Sequence, residues 1–378
     1  MSIEIKKVTT KKEKKDFIMF PFELYKNDPL WVPPLISDMK KIVDGSGSLL
    51  FQSGPHELFN AYINDKIVGR IAVGIDEKMN KLKDKKEGYV TLFECINDKN
   101  VAFELLKTSE NWLKEMGMEA MVGPVSPTNG DDFRGMLVEN FEDPPMIYTT
   151  YNPSYYVGFF EEYGFEREHI FAAFKYDLKK LPLDESIKPI EYAKKKYNFI
   201  TRHADYSRIP EESKVLQYIL KESLIPLEYD YLIPPTEEEM LALCKDLAKF
   251  IPPGFVQMAF SDGEPVGFAV TMPDYNQVLK RINGRLFPIG WLKFLLYKNK
   301  INRTRVFLLF VVPKFQSKGV PEALFIELLR CAREKGYVFA EGSTININNK
   351  KMCREAEAVG GVLYRKFALY RKKNQEVN

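Results

Sequence analysis

The residues best placed to do chemistry lie in Gln316-Ser-Lys-Gly-Val-Pro321. They follow Val306-Phe-Leu-Leu-Phe-Val-Val312, an apolar run rich in Val and Phe that reads as a central strand. Pro313 cannot donate to a sheet ladder, so the strand ends or bulges there. Beyond the loop, Ala323, Leu324, Leu328, Leu329 and Ala332 recur at helical spacing, with Pro321 tolerated in the first turn and Gly336 as the stop. A strand–loop–helix of this kind can capture an anion. The first-turn N–H groups have no intrahelical partners, the helix end carries partial positive charge, Gly319 lets a phosphate approach the backbone, and Lys318 adds a cation. A strand broken at its end also leaves backbone groups able to pair with an extended ligand. The combination suits a molecule with a pyrophosphate and an amide-bearing arm. An ordinary β-turn-α connection without a ligand has the same outline.

Placed after Val311-Val312-Pro313, the segment Gln316–Pro321 resembles the acyl-CoA loop of the GNAT N-acetyltransferase superfamily, Gln/Arg-x-x-Gly-x-Gly/Ala. Gln316 and Gly319 match. Pro321 departs from the pattern and, lacking an N–H, removes one phosphate donor. Downstream, Val338-Phe-Ala-Glu-Gly-Ser-Thr-Ile345, then Asn346-Ile-Asn-Asn349 heading a helix, Gly360-Gly361 and Val362–Tyr370 follow the family's succession of elements. The resemblance covers most of residues 198 to 372. It implies acetyl-CoA or another acyl-CoA as co-substrate, held by Val311, Val312, Gln316, Ser317, Lys318, Gly319, Val320, Asn346 and Asn349. It implies no metal, and transfer of the acyl group to a primary amine.

Such a transfer needs a free amine, a polarised thioester carbonyl and a proton for the leaving thiolate. By resemblance, backbone N–H groups near Val311 and Val312 polarise the carbonyl, as in an oxyanion hole, and positioning of the substrates supplies much of the rest. The tyrosine that many family members use as acid falls here on Ala356, and Tyr364 is the nearby substitute. No acidic residue lies within Val306–Val312, so the base candidates are Glu228 and Glu341. The stretch Glu228-Tyr-Asp-Tyr231 belongs to a connection that borders the acceptor site in the family. The three histidines, His56, His169 and His203, form no triad or metal set. Cys95, Cys244, Cys331 and Cys353 show neither metal spacing nor a disulfide pattern.

The positioning elements occur twice. Ala61-Tyr-Ile-Asn-Asp-Lys-Ile-Val-Gly-Arg-Ile-Ala-Val73 parallels Ala259-Phe-Ser-Asp-Gly-Glu-Pro-Val-Gly-Phe-Ala-Val-Thr271, each a hairpin with an Asn-Asp or Asp-Gly turn. Gly88–Ile96 and the helix from Val101 to Gly117 parallel Arg305–Gly336, aligning Val101 with Val320 and Gly117 with Gly336. The expected fold class is α/β, with two GNAT-like mixed-sheet domains (the acyl-CoA N-acyltransferase fold) in tandem. The expected halves are 1–180, degenerate and lacking the pyrophosphate loop, and 190–378, the acyl-CoA-binding domain. Where the second copy has Gln316-Ser-Lys-Gly319, the first has Asn97-Asp-Lys-Asn100, whose Asp98 would repel a pyrophosphate. The first copy also carries an insertion, Gly123–Tyr151. There Asn129, Asp131, Asp132 and Arg134 either line a polar substrate site or sit in a surface loop with self-satisfied Asx turns.

Bulk properties bound the rest. The 378 residues accommodate two cores, and a net charge of +3 from 55 Lys+Arg against 52 Asp+Glu gives no footing for nucleic acid as a partner. The N-terminus lacks an apolar signal region and no run is long enough to span a bilayer, so a cytoplasmic protein is expected. Arg285–Arg305 carries six basic residues and no acidic one around Trp291, Leu292, Phe294, Leu295 and Leu296. Such a stretch either packs between domains, which is the expectation, or lies on an anionic membrane. Three functional readings stay open: an N-acyltransferase acting on a small-molecule or peptide amine, a non-catalytic acyl-CoA-binding or scaffold protein, and a tandem-fold aminoacyl transferase.

Overall fold

A computed structural model describes residues 2–128, 133–224 and 234–374. Its thirteen strands are β1 (Glu4–Lys7), β2 (His56–Ile63), β3 (Lys66–Gly74), β4 (Glu87–Cys95), β5 (Ala120–Gly123), β6 (Met136–Glu139), β7 (Glu166–Asp177), β8 (Ile200–His203), β9 (Val256–Ser261), β10 (Glu264–Pro273), β11 (Arg303–Val311), β12 (Phe339–Asn346) and β13 (Val362–Lys373). They belong to two compact units, one of residues 1–170, 276–297 and 365–378, the other of residues 171–275 and 298–364.

In the first unit the strands run in the order β1-β2-β3-β4-β5-β13, with β6 on β13. The β2–β3 hairpin turns at Asn64-Asp65, both at positive φ (49° and 59°), as a two-residue hairpin of this twist requires. Helix Lys99–Glu115 lays Val101, Ala102, Leu105, Leu106, Trp112 and Leu113 on a core shared with Ile71, Val73, Val90 and Phe160. The Trp31 ring packs on Tyr25 and, edge-on, on Phe22, at centroid distances of 5.1 and 5.2 Å. Residues 276–297, although they come from the second half of the sequence, belong here. Asn276 Nδ2 donates to Pro145 O at 3.0 Å, and Ile36 N donates to Gly284 O at 2.9 Å. Gly284 sits at φ +71°, and a Cβ there would lie 2.6 Å from the Phe22 ring, so only glycine lets the two segments meet.

The second unit orders its strands β7-β12-β11-β10-β9-β8. The β9–β10 turn is Asp262-Gly263, again with both residues at positive φ. Helix Val320–Glu334 covers the sheet with Ala323, Leu324, Leu328, Leu329 and Ala332, each 0% exposed. Each buried leucine contributes about 2 kcal/mol by transfer from water.

The units do not follow the two sequence halves, because the closing strands are exchanged. In the second unit β12 is flanked by β7, the last strand of the first half, with Phe339 opposite Asp177 and Ala340 opposite Tyr176. In the first unit β5 is flanked by β13, the last strand of the second half, with Tyr370 opposite Gly123. Each strand carries four consecutive buried residues, 171–174 and 367–370, and a run covered on both faces suits the interior of either sheet.

Candidate active site

β11 and β12 pair in parallel from Arg303↔Phe339 to Val306↔Gly342 and then part, β11 running on to Val311 and β12 to Asn346. On the other side of β11 the register with β10 slips from Val270↔Leu308 to Thr271↔Val306, leaving Phe307 as an extra residue at the point of parting. A bulge there bends the strand and re-aims its backbone. Among the described residues, a slot free of strand pairing therefore runs between residues 307–311 and 343–346.

The loop expected to hold a pyrophosphate forms one end of this slot. After the short turn Pro313–Phe315, Gln316 folds back and donates from Nε2 to Val311 O at 3.0 Å. Gly319 is the N-cap of helix Val320–Glu334, at φ +79° and without a side chain to cap the first-turn N–H groups. A Cβ on it would come 2.8 Å from Ala193 Cβ, so conformation and space both call for glycine. Val320, fully buried, anchors the helix start. Lys318 Nζ lies 4.3 Å from the Phe315 ring centroid. Lys351 Nζ donates to Gln316 O and Ser317 Oγ at 2.6 and 2.7 Å. Two ammonium groups thus stand at an uncapped helix N-terminus, a fit for a diphosphate. An opposing charge sits beside them. Burial, and then repulsion from Glu322, raise the Glu355 carboxyl above its ordinary 4.5, while Lys351 pulls it down.

The closed base of the slot gathers the expected acid and one expected base. Glu341, fully buried, lies directly across from Arg305 on the paired strands, with Arg305 Nε to Glu341 Oε1 at 3.7 Å. Ser343 Oγ donates to Glu341 Oε1 at 2.5 Å and accepts from Arg305 Nε at 2.7 Å. The Tyr364 hydroxyl donates to Glu341 Oε2. A buried ion pair is tolerable when its remaining lone pairs are satisfied, and Ser343 and Tyr364 satisfy them here. Tyr364 is half-buried, so it links this network to more open ground.

Other expectations change. The N–H of Val312, expected near the thioester, donates to Val266 O at 2.9 Å, leaving the bulge at Phe307 as the place where β11 backbone turns toward the slot. Asn349 caps helix Lys350–Ala358 by accepting from Met352 N at 3.1 Å, and Asn346 Oδ1 accepts from Asn348 N at 2.9 Å, so both carbonyl oxygens serve local turns. Ala356 is buried, and Tyr176 from β7 donates to its carbonyl at 3.4 Å. Burial holds the Tyr176 hydroxyl well above its ordinary pKa. The Tyr176 ring also lies against Gly342 and Gly361. Glu228, Tyr229, Asp230 and Tyr231 lie outside the described residues, as do Asn129, Asp131 and Asp132. Arg134 is buried, 5% exposed, rather than presented on a loop surface.

Sequence reasoning missed Arg305, Ser343, Lys351 and Tyr176. Arg305 was counted only as part of the basic stretch Arg285–Arg305, although an arginine entering an apolar strand, with a glutamate in the next predicted strand, is a readable sign of a buried pair. The part played by Tyr176 had no such sign, because it depends on the strand exchange.

The first unit contains the same parting of strands, closed. β4 pairs with β5 only as far as Tyr89↔Val122 and then continues to Cys95. Val125 N donates to Val90 O at 2.9 Å, and Thr91 Oγ1 to Val125 O at 2.7 Å. Cys95 N donates to the Tyr156 hydroxyl at 2.7 Å, and Tyr155 donates to Cys95 O at 2.9 Å. Glu94, half-buried, accepts from Tyr25 and Tyr156 at 2.6 and 2.8 Å. Burial raises its carboxyl, an effect that Arg70 and the two hydroxyls oppose. Asp98 caps helix Lys99–Glu115 through Asn100 N at 2.9 Å, whereas the cap residue of the second copy's helix is Gly319.

Comparison with known proteins agrees with the fold. Residues 220–360 match the family described as Acetyltransferase (GNAT) family. The chain is 28% identical over 373 residues to Protein YghO of Escherichia coli (strain K12), covering 96% of this chain and 93% of that protein. It is also 28% identical over 378 residues to a bacterial ceramide synthase of Caulobacter vibrioides (strain NA1000 / CB15N), covering 97% of this chain and 96% of that protein. A solved tandem GNAT protein from the clavulanic acid biosynthesis pathway superposes with TM-score 0.58 at 10% identity, covering all of both chains.

Proposed function

We propose that this chain, which belongs to the GNAT superfamily as a tandem-domain protein, transfers the acyl group of an acyl-CoA to a primary amine in its second copy. The observation that carries this reading is the slot between β11 and β12, open where its first-copy counterpart is closed and ending at an uncapped helix N-terminus. The pyrophosphate of the acyl-CoA is assigned to the first turn of helix Val320–Glu334, with Lys318 and Lys351 as cations. The pantetheine arm is assigned to the parted edge of β11, and the thioester to the bulge at Phe307.

The neutral amine attacks the thioester carbonyl, forming the C–N bond as the C–S bond breaks. Tyr364 gives its proton to the departing sulfur and regains one from Glu341, which takes up the proton lost by the amine. Net transfer is from amine nitrogen to thiol, with no proton left over. Arg305 and Ser343 hold Glu341 in place.

Similarity along 97% of the chain to a protein named bacterial ceramide synthase supports a long acyl chain as donor and a long-chain amino alcohol as acceptor, since a ceramide is the amide of these two. The test is thiol release by the purified full-length protein. Palmitoyl-CoA or acetyl-CoA would be supplied with sphinganine or with a short amino alcohol. Release with palmitoyl-CoA and sphinganine alone is the expected result. Release with acetyl-CoA and sphinganine keeps the lipid acceptor and overturns the long-chain donor, and release with the short amino alcohol keeps acyl transfer and overturns the lipid acceptor. CoA binding without release for any acceptor favours the non-catalytic reading, and no CoA binding at all overturns the assignment of the slot.

A further inference from the structure

Helix Gly290–Tyr297 wears its polarity inside out. Trp291, Leu292, Leu295 and Leu296 are 45, 44, 48 and 60% exposed, and the preceding turn adds Phe287 and Ile289 at 74 and 61%. At about 100° per residue the four helical side chains fall on one face. The opposite face carries Gly290, which is buried, and Tyr297, whose ring packs against the Arg281 guanidinium at 4.4 Å. The expectation that this apolar cluster packs away from water is therefore not met. A surface helix normally turns such a face to the core, and a contiguous exposed patch of this kind marks a contact surface.

The charges around the patch choose the occupant. From Asn276 to Tyr297 there is no Asp or Glu, while Lys280, Arg281, Arg285 and Lys293 are all exposed. Lys293 Nζ is held by Arg281 O at 2.9 Å, which places its cation beside the apolar face. The two arginines that close the basic stretch are used differently. Arg303 pairs with Asp274 at 3.4 Å, and Arg305 is buried against Glu341. We propose that residues 285–297 form a docking surface for an anionic lipid bilayer. Phe287, Ile289, Trp291, Leu292, Leu295 and Leu296 enter the interfacial region, and Lys280, Arg281, Arg285 and Lys293 meet the lipid phosphates. Apolar side chains and a tryptophan supply the insertion, while clustered Lys and Arg supply attraction that decays within a Debye length. The docking concerns attachment and does not depend on which amine is acylated.

The experiment is co-sedimentation of the full-length protein with two kinds of vesicle, pure phosphatidylcholine and phosphatidylcholine with about one-third phosphatidylglycerol, an anionic content that attracts basic segments. Two variants accompany it, Leu295→Glu/Leu296→Glu and Lys280→Gln/Arg285→Gln/Lys293→Gln. All five side chains are exposed, so folding is expected to survive, and matching circular dichroism melts check that. The anionic vesicles should retain the protein about tenfold more than the neutral ones, raised salt should release it, and each variant should lower retention about tenfold. Equal retention by both vesicles, or retention that neither variant reduces, overturns the proposal. So does failure to sediment with either vesicle. If light scattering then shows a dimer that Leu295→Glu/Leu296→Glu dissociates, the face serves self-association instead.

Discussion

The two copies answer the same geometric problem in opposite ways. Each has a pair of parallel strands that stop pairing partway along, and a helix that begins just beyond. In the first copy the freed edge of β4 is met by Val125, Thr91, Tyr155 and Tyr156, and the helix is capped by the Asp98 carboxylate. In the second the edge of β11 faces an open slot, and the helix begins at Gly319 with no capping side chain. An exposed strand edge and an uncapped helix end are both unsatisfied hydrogen-bonding surfaces. The first copy satisfies them from within and gains stability. The second lacks those internal partners among the described residues, and the proposed acyl-CoA site draws on that difference.

The contrast can be broken at the base of the slot. Glu341→Gln and Tyr364→Phe should each lower kcat about 10²- to 10³-fold, with KM for acyl-CoA little changed, because the network acts on protons rather than on binding. Steady-state kinetics by thiol release would check this, and an equal loss in KM would show a binding role instead.

A smaller effect comes from making the second copy resemble the first. Ser317 is the counterpart of Asp98 in the repeat alignment, and it is exposed. Ser317→Asp should therefore leave folding intact while placing a carboxylate at the helix mouth, where it pairs with Lys351. Calorimetric titration should show CoA affinity falling about 10- to 100-fold. Gly319→Asp would be a poorer probe, since the Ala193 contact and φ +79° would strain the fold as well.

The reverse change tests stability alone. Asp98→Ala removes a helix cap and should lower unfolding free energy by about 1 kcal/mol, read in urea. CoA stoichiometry should stay at one per chain, because Tyr155 and Tyr156 still hold the Cys95 backbone. A second binding event would show that the cap, and not the tyrosines, keeps the first slot closed.

The mildest expectation concerns Glu322 and Glu355. Since the Glu355 carboxyl is raised above 4.5, it gains its negative charge only as pH climbs beyond that value. CoA affinity should then decline with rising pH over that window. Glu322→Gln should raise affinity about threefold at neutral pH and flatten the dependence. Titrations at several pH values would decide it, and an unchanged slope would remove the pair from the site.

Much of this was legible beforehand, for reasons that can be named. The strand ending at Pro313, the glycine before helix Val320–Glu334, the two hairpin turns and the loss of glycine at Asn100 are local matters of φ, missing donors and period. Glu341 and Tyr364 were reachable through the family resemblance, but their meeting was not, since they lie on separate elements. The inward pairing of Arg305 and the outward face of Trp291 and Leu295 were misjudged for a shared reason. Composition counts a charge or an apolar side chain without saying which way it points.

By itself, then, the sequence determined the repeat, the succession of elements and the local chemistry of the loop, because those depend on residues within a few positions of each other. Only the tertiary structure decided that β7 and β13 trade sheets, that Tyr176 stands beside Gly342, and that Arg305, Ser343, Glu341 and Tyr364 form one buried network. An apolar run such as 171–174 or 367–370 specifies that a strand is buried but not which neighbour it joins, and that choice is settled by the packing of the whole chain.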